Sequence, residues 1–512
     1  MKLKLYASLI VLFTVILYAQ SQKPDLEKLD SYFSNALKDW NVPGMAIGIL
    51  KSDSIILAKG YGVRNVKKEG EVDAHTVFPI ASNTKAFTSA AIASLIDKKL
   101  LSWDSKVVDF IPYFQLYDPY VSLNMTIRDL LCHRSGLATF SGDLLWFNSN
   151  YSREEVIRRA RYLVPKYGFR TTFGYSNILF ITAGEIIAAL TEQSWDDYLA
   201  DNFFKPLGMT RTNTSVSFLE NMDNVALPHN DIGNKVVPIP YQNWDNVGGA
   251  GAINSCVNDM LKWLQLQLHE GTINNKVYYS ERTALEMWTP HTIQVVSPNS
   301  KLRFPSIHFK AYGLGWALFD YRGRKIISHS GGYDGMISYS CLVPEEQLAF
   351  VILTNKNSAL YYPLVYKILD EFLEGTDRDW SSEILEIIVK NEGYDKERKE
   401  KQMQERILNT KTSLNLSAYA GIYESELYGQ AELKLKNKKL LITLIPSPLF
   451  TAELEHWQFN TFTVNMTNFP SLPEGKVHFY MGMDGSVEEM KIDIPNPDFD
   501  FTELKFIKLS NP

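Results

Sequence analysis

The chain has 512 residues, 45% of them hydrophobic, 12% aromatic and 21% charged, the balance of an ordinary globular protein of about three domains. Its 52 Lys and Arg against 58 Asp and Glu leave a formal charge of −6 with no basic block. That balance excludes a nucleic-acid binder built on phosphate neutralisation and a disordered tail, and three cysteines in this length exclude a disulfide scaffold.

At the N-terminus, Lys2 and Lys4 precede an apolar run from Leu5 to Leu17, and the small residues Ala19 and Ser21 follow. This order predicts a secretory signal over residues 1–20, cut between Ala19 and Gln22, and a secreted or periplasmic protein. No later stretch is long and apolar enough to cross a bilayer, so no membrane span is expected in the mature chain. Export would put Cys132, Cys256 and Cys341 in an oxidising space, where their apolar neighbours predict plain buried thiols.

Residues 25–41 pattern as an amphipathic helix. A hairpin follows, Met45–Leu50 and Ser54–Tyr61 around Lys51-Ser52-Asp53. From about residue 80 to 210 the pattern is helical, with capping-box starts at Ser152 and Ser194 and a stop at Gly208. A further helix is predicted from Cys256 to His269. Beyond residue 310 come short apolar runs, Tyr312–Phe319, Lys325–His329, Met336–Val343 and Gln347–Thr354, then a helix over 361–373.

Residues 22–373 therefore predict one α+β domain, an antiparallel sheet flanked by helices and carrying an all-helical insert. Residues 374–411 read as a charged helical linker. Over 412–512 about eight short alternating strands, with Asp484-Gly485 and Asn437-Lys438 as tight turns, imply a small closed antiparallel β-barrel.

Three short motifs carry candidate chemistry. Ser82-Asn-Thr-Lys85 opens an Ala- and Ser-rich yet apolar segment, the composition of a helix packed on all sides. At i and i+3 the two side chains share a face of the first turn. A serine hydroxyl needs an adjacent base, and a desolvated lysine can lose its proton and be that base. Read alone, the tetrapeptide suits a helix cap followed by a surface lysine better than a catalytic pair.

Tyr175-Ser176-Asn177 leads into the apolar segment Ile178–Leu190. A phenol beside a lysine cation is expected to have a lowered pKa and to exchange protons with the serine. The Asn177 amide can accept from the lysine and donate to a substrate carbonyl. A buried tyrosine and an asparagine cap are the plainer alternative.

His329-Ser330-Gly331-Gly332 follows the run Lys325–Ser328, at its expected end. Glycines there let a substrate backbone lie along the strand edge, and the Gly332 and Ser82 N–H groups can pair as an oxyanion hole. His329 can bridge protons to Tyr175 or attract an anion, and it also suits an ordinary packed histidine.

The order and contexts of these motifs resemble the serine β-lactamase and penicillin-binding-protein-like hydrolases, in the branch of class C β-lactamases and D-alanyl-D-alanine carboxypeptidases. Phe78–Lys85, Thr126-Ile-Arg-Asp-Leu-Leu-Cys-His-Arg-Ser-Gly-Leu137, Phe173–Asn177, Pro206-Leu-Gly-Met209, Gly248–Ile253 and Tyr312-Gly-Leu-Gly-Trp316 carry the resemblance across residues 25–373. Ala418-Tyr-Ala-Gly-Ile-Tyr423 and Leu454-Glu-His-Trp-Gln-Phe459 make the tail resemble the lipocalin-like domain appended to some serine peptidases of this family.

The resemblance implies a β-lactamase/transpeptidase-like fold, Ser82 as acylated nucleophile, Lys85 as base partner, Tyr175 as proton shuttle and Asn177 as substrate positioner. It makes His133-Arg-Ser-Gly136 an ordered turn buttressing the active-site helix. His329 stands where the β-lactamases usually carry a lysine, and a mostly neutral imidazole attracts a carboxylate less strongly. The expected activity is a serine peptidase or amidase on small peptides containing D-amino acids, with an esterase or weak β-lactamase as runner-up. A penicillin-recognition or scaffold protein with a vestigial site is the non-enzymatic alternative. No cofactor, metal or nucleic acid is implied, the partner is a small peptide, amide or ester substrate, and homo-oligomerisation is left open.

Overall fold

The computed structural model describes residues 24–233 and 235–509. The predicted signal lies outside the described residues. Eight antiparallel strands form the main sheet: β1 Gly44–Lys51, β2 Ser54–Gly62, β3 Thr292–Gln294, β4 Lys310–Tyr312, β5 Ala317–Tyr321, β6 Arg324–Tyr333, β7 Met336–Val343 and β8 Leu348–Thr354. Their order is β2-β1-β8-β7-β6-β5-β4-β3.

The period-two alternation of β8 sorts the two cores. Ala349, Val351 and Leu353 face the helical insert, with α2 Thr84–Asp97, α3 Asn177–Thr191 and α4 Val257–Leu268 on that side. Leu348, Phe350 and Ile352 face the opposite layer, built from α1 Leu26–Asp39, α5 Tyr361–Phe372 and the start of α6 Trp380–Gln404. Helix α2 is buried from Thr84 through Ile96, so its near-uniform apolar composition reflects neighbours on every side.

Eight further strands close into an antiparallel barrel: β9 Gly421–Ser425, β10 Gly429–Lys436, β11 Lys439–Leu444, β12 Thr451–Gln458, β13 Thr461–Val464, β14 Gly475–Met481, β15 Val487–Asp493 and β16 Lys505–Lys508. Asn437 and Lys438 both take positive φ between β10 and β11, the conformation of a two-residue hairpin turn. The barrel packs onto the helical insert through Phe147, whose ring lies 4.2 Å from Phe499, 5.5 Å from Phe469 and 6.0 Å from Phe450 between centroids. Among the described residues no helix is long and apolar enough to cross a membrane, and no cluster of His, Cys, Asp or Glu is arranged to hold a metal.

The structure corrects two local expectations. The run Tyr312–Phe319 is two strands, β4 and β5, joined by a turn at Gly313–Trp316. Its apolar side chains hid the turn, because the turn is buried: a Cβ on Gly315, at φ +79, would lie 2.4 Å from Ser89 Oγ of α2. The strand predicted over Lys325–His329 is also longer, because β6 continues to Tyr333 and takes His329–Gly332 into its pairing with β7. Gly331 marks a close approach, since a Cβ there would lie 2.1 Å from Ile80 O.

Candidate active site

The turn that presents Ser82 is held from both sides. Ala81 sits at φ +45, an unusual conformation for a residue with a side chain. Asn83 Nδ2 donates to Ser338 Oγ at 2.8 Å, and Ser338 Oγ donates to Ile80 O at 2.6 Å, tying the turn to β7. Gly331 of β6 closes against it, since a Cβ there would lie 2.1 Å from Ile80 O and 3.0 Å from Ser82 N. Only glycine allows the strand this near the nucleophile's backbone.

One turn on, the Lys85 side chain is wholly buried. Its Nζ lies 3.0 Å from Ser82 Oγ, 2.6 Å from Asn177 Oδ1 and 2.8 Å from Ala250 O. Burial pushes its pKa well below the ordinary lysine value, opposed by the Asp143 carboxylate. The partners suit the neutral amine: Asn177 Oδ1 and Ala250 O can only accept, so they take its two N–H groups and leave the lone pair for the Ser82 proton.

Tyr175 hydrogen-bonds the Ser82 side chain, and its ring lies 4.7 Å from Lys85 Nζ. Its pKa is raised, not lowered as expected from the sequence, because burial of the phenolate outweighs the hydrogen bond with Ser82. Tyr175 is therefore a protonated phenol at neutral pH, able to relay a proton but not to begin as a base. Beneath it lies the His133 ring, centroid to centroid 4.2 Å, whose Nδ1 accepts the Ser176 N–H at 3.0 Å. His133, at φ +58, thus seats the Tyr175–Asn177 loop, more directly than the buttress of the helix expected from sequence.

That turn is itself anchored by Asp129. Its buried carboxylate caps Thr126 and binds Arg134 at 2.6 Å and Arg170 at 2.6 Å. Asp129→Ala, which leaves the Thr126 N–H and hydroxyl and both guanidiniums without their acceptor, is expected to cost about 1–3 kcal/mol. A fall in the thermal unfolding midpoint relative to wild type checks this.

His329 lies on the far wall. Its Nε2 faces the Tyr312 hydroxyl at 2.7 Å and its Nδ1 the Ser330 carbonyl at 2.6 Å. The second contact fixes the proton on Nδ1, so Nε2 accepts from Tyr312. Burial first, and the nearby Lys85 second, pull its pKa down to about 3. The ring is thus neutral and turned to Tyr312, not the proton bridge to Tyr175 or the anion attractor that the sequence suggested.

This has a pH consequence. The unfolded chain protonates such a histidine near its ordinary 6.5 while the folded chain does not until about 3. Protonation therefore favours the unfolded state, and stability falls as pH drops from 6.5 towards 3. His329→Gln is expected to flatten that slope in denaturant melts at pH 7 and pH 5.

Strand β5 stops pairing with β6 at Ser328, so the β6 edge from His329 to Tyr333 has no strand on that side. Ser330 and Gly332 are exposed there and Gly331 is buried against the Ser82 turn. A Cβ on Gly332 would meet nothing nearer than Ile337 Cδ1 at 3.9 Å. Of the eight residues singled out from sequence, Ser82, Lys85, Tyr175, Asn177, His329 and Gly331 come together and Gly332 lies beside them on the open edge, whereas Ser330 turns to the opposite face of the sheet, beside Tyr339, Tyr361 and Tyr366.

Two contributors escaped the sequence reading. Asp143 is buried, accepts from Asn177 Nδ2 at 2.6 Å and Trp146 Nε1 at 2.9 Å, and has its pKa raised to about 8 by burial. Tyr312 lies in the segment Tyr312-Gly-Leu-Gly-Trp316, and nothing in its local sequence shows its bond to His329. The signal for both is tertiary.

Residues 29–363 match the beta-lactamase family, and residues 405–508 match a domain of unknown function, DUF3471. Among curated proteins, the chain is similar to Unguisins hydrolase ungD of Aspergillus violaceofuscus, 28% identical over 471 residues, covering 84% of this chain and 81% of that one. It is also 28% identical to Protein flp of Staphylococcus aureus over 347 residues, 66% of this chain and 64% of that one. Among solved structures, the octameric penicillin-binding protein homologue from Pyrococcus abyssi aligns with TM-score 0.61 at 22% identity, over 94% of this chain and all of that one. A D-stereospecific amidohydrolase from Streptomyces sp. aligns at TM-score 0.55 and 19% identity, over 69% of this chain and all of that one. A class C beta lactamase from Rhodobacter sphaeroides aligns at TM-score 0.54 and 20% identity, over 67% of this chain and 99% of that one. With the family match spanning well over half its length, and the fold shared with these structures, the chain belongs to the beta-lactamase family of serine hydrolases.

Proposed function

We propose that the chain is an exported peptidase or amidase that acts on small peptides containing D-amino acids through an acyl-enzyme at Ser82. The observation that carries this reading is the buried Lys85 Nζ, 3.0 Å from Ser82 Oγ with its other two partners restricted to accepting. Ser82 Oγ attacks the substrate carbonyl as its proton passes to Lys85 Nζ, forming the C–O bond of a tetrahedral oxyanion. The N–H groups of Ser82 and Gly332 hold that oxyanion, and Asn177 orients the substrate amide. Tyr175 passes the proton to the leaving amine as the C–N bond breaks. Water then attacks the ester with the same groups reversed, releasing the acid and restoring Ser82.

The substrate backbone adds along the open His329–Tyr333 edge, with Ser330, Gly331 and Gly332 as its backbone partners. The substrate class is supported by the neutral His329, which offers no charge to a β-lactam carboxylate, and by two similar proteins. One is named a D-stereospecific amidohydrolase and the other an unguisins hydrolase. Secretion through residues 1–20 and a lipocalin-like character for residues 412–512 belong to the same reading. So does a homo-oligomer, suggested by the similarity to an octameric homologue.

A panel of D- and L-aminoacyl p-nitroanilides, p-nitrophenyl esters and penicillin G tests the substrate class. The reading predicts that the D-aminoacyl amides have the highest kcat/KM among the amides. Turnover of penicillin above every amide would overturn it in favour of a β-lactamase.

A further inference from the structure

The barrel reaches into the hydrolase domain with a carboxylate. Glu503 lies in the short turn Phe501–Glu503, just before β16. Its Oε2 accepts the Gly142 N–H at 2.8 Å, and its Oε1 accepts the Ser141 hydroxyl. Gly142 stands at φ +78, where a Cβ would also meet Leu163 Cδ1 at 2.6 Å and Ile178 Cδ1 at 2.7 Å. The next residue is Asp143, whose carboxylate accepts from Asn177 Nδ2, while Asn177 Oδ1 accepts from Lys85 Nζ. Hydrogen bonds and two peptide units therefore run unbroken from the barrel to the partner of Ser82. Phe147, four residues past Asp143, is packed among Phe450, Phe469 and Phe499 and fixes the other end of the same segment.

We propose that Glu503 is a positioning residue of the hydrolase site: by holding the 141–143 backbone it fixes Asp143 and, through Asn177, the aim and protonation of Lys85. The barrel is then part of the site's framework. This rests on the Ser82 and Lys85 reading above.

Charge supports the geometry. Asp143 faces Lys85 and Glu503, and Glu503 faces Asp500. Lys85 faces Asp143, the rings of Tyr175 and Phe180, and the neutral His133 and His329. Ionised Glu503 makes Asp143 hold its proton to higher pH. A protonated Asp143 no longer stabilises an ammonium at Lys85, so the amine is free at lower pH. Removing the Glu503 charge reverses this and moves the acid limb of acylation to higher pH.

The test uses the full chain and the pH dependence of kcat/KM on an activated p-nitrophenyl ester, with active sites counted by a fluorophosphonate. Glu503→Ala is expected to lose about tenfold, mainly in kcat, by freeing a hydrogen-bonded charged anchor. Glu503→Gln, whose amide can bond both Gly142 N–H and Ser141 Oγ, is expected to recover to within about threefold, with its acid limb about half a unit higher. Arg159→Ala removes a separate barrel contact, Nη1 to the Glu426 and Leu427 carbonyls, and should keep the wild-type rate and limb. Glu503→Ala at the wild-type rate and limb, or Glu503→Ala and Arg159→Ala falling equally, would overturn the proposal. Labelling of a Ser82→Ala chain would instead remove the reading beneath it, whatever Glu503 does.

Discussion

Lys85→Met is expected to lower kcat/KM by about 10²–10⁴-fold, the usual contribution of a positioned base. Methionine has nearly the same volume, so the surrounding packing of α2 is kept, and what disappears is the amine and its lone pair. Asn177 Oδ1 and Ala250 O, which it satisfied at 2.6 and 2.8 Å, are left buried and unpaired. The attendant stability loss is about 1–3 kcal/mol for each, so thermal midpoints must be read alongside the rates. Lys85→Arg separates charge from basicity: a guanidinium keeps the positive charge but holds its protons and offers no lone pair. Both variants should fail, and raising the pH should rescue neither. Either variant acylating within about threefold of wild type would remove Lys85 as the base.

Gly331→Ala is expected to cost about 10²-fold in kcat/KM, the scale of a 1 Å misplacement of reacting groups. The added methyl would stand 2.1 Å from Ile80 O, 2.5 Å from Ser338 Oγ and 3.0 Å from Ser82 N. The first and last are backbone atoms of the nucleophile turn, so relief requires β6 to move away from Ser82. The oxyanion donors then separate and the substrate edge shifts with them. Circular dichroism and the thermal midpoint should show the fold retained while single-turnover acylation slows. A wild-type acylation rate in a folded Gly331→Ala chain would show that the approach of β6 to Ser82 is not required.

The architecture was readable because its rules are local. Apolar runs over Met336–Val343 and Gln347–Thr354, caps at Ser152 and Ser194, and paired-turn residues at Asn437-Lys438 each set one element, and the elements fix a sheet, a helical insert and a closed barrel. Ser82, Lys85, Tyr175, Asn177 and His329 were readable because the chemistry demands residue types in fixed local settings. What escaped depends on the environment rather than on the string. The Tyr175 phenol lies near an amine, yet desolvation raises its pKa, and only packing reveals which effect prevails. His329 looked available until Tyr312, 17 positions earlier, occupied its Nε2. Asp143 sits in an irregular loop with no period to mark it, and Glu503 reaches it from 360 residues away through backbone contacts that no pattern encodes. The buried turn at Gly313–Trp316 failed for a related reason: its side chains are apolar because they are covered.

The proposed acyl-enzyme chemistry depends on Ser82 being a nucleophile with Lys85 as its activating partner. Intact-mass measurement after incubation with a fluorophosphonate tests that most directly, comparing wild type, Ser82→Ala and Lys85→Met. A single adduct is expected on the wild-type chain, none on Ser82→Ala, and one that forms far more slowly on Lys85→Met. Equal labelling of wild type and Ser82→Ala, or a wild-type chain that gains no mass, would contradict it.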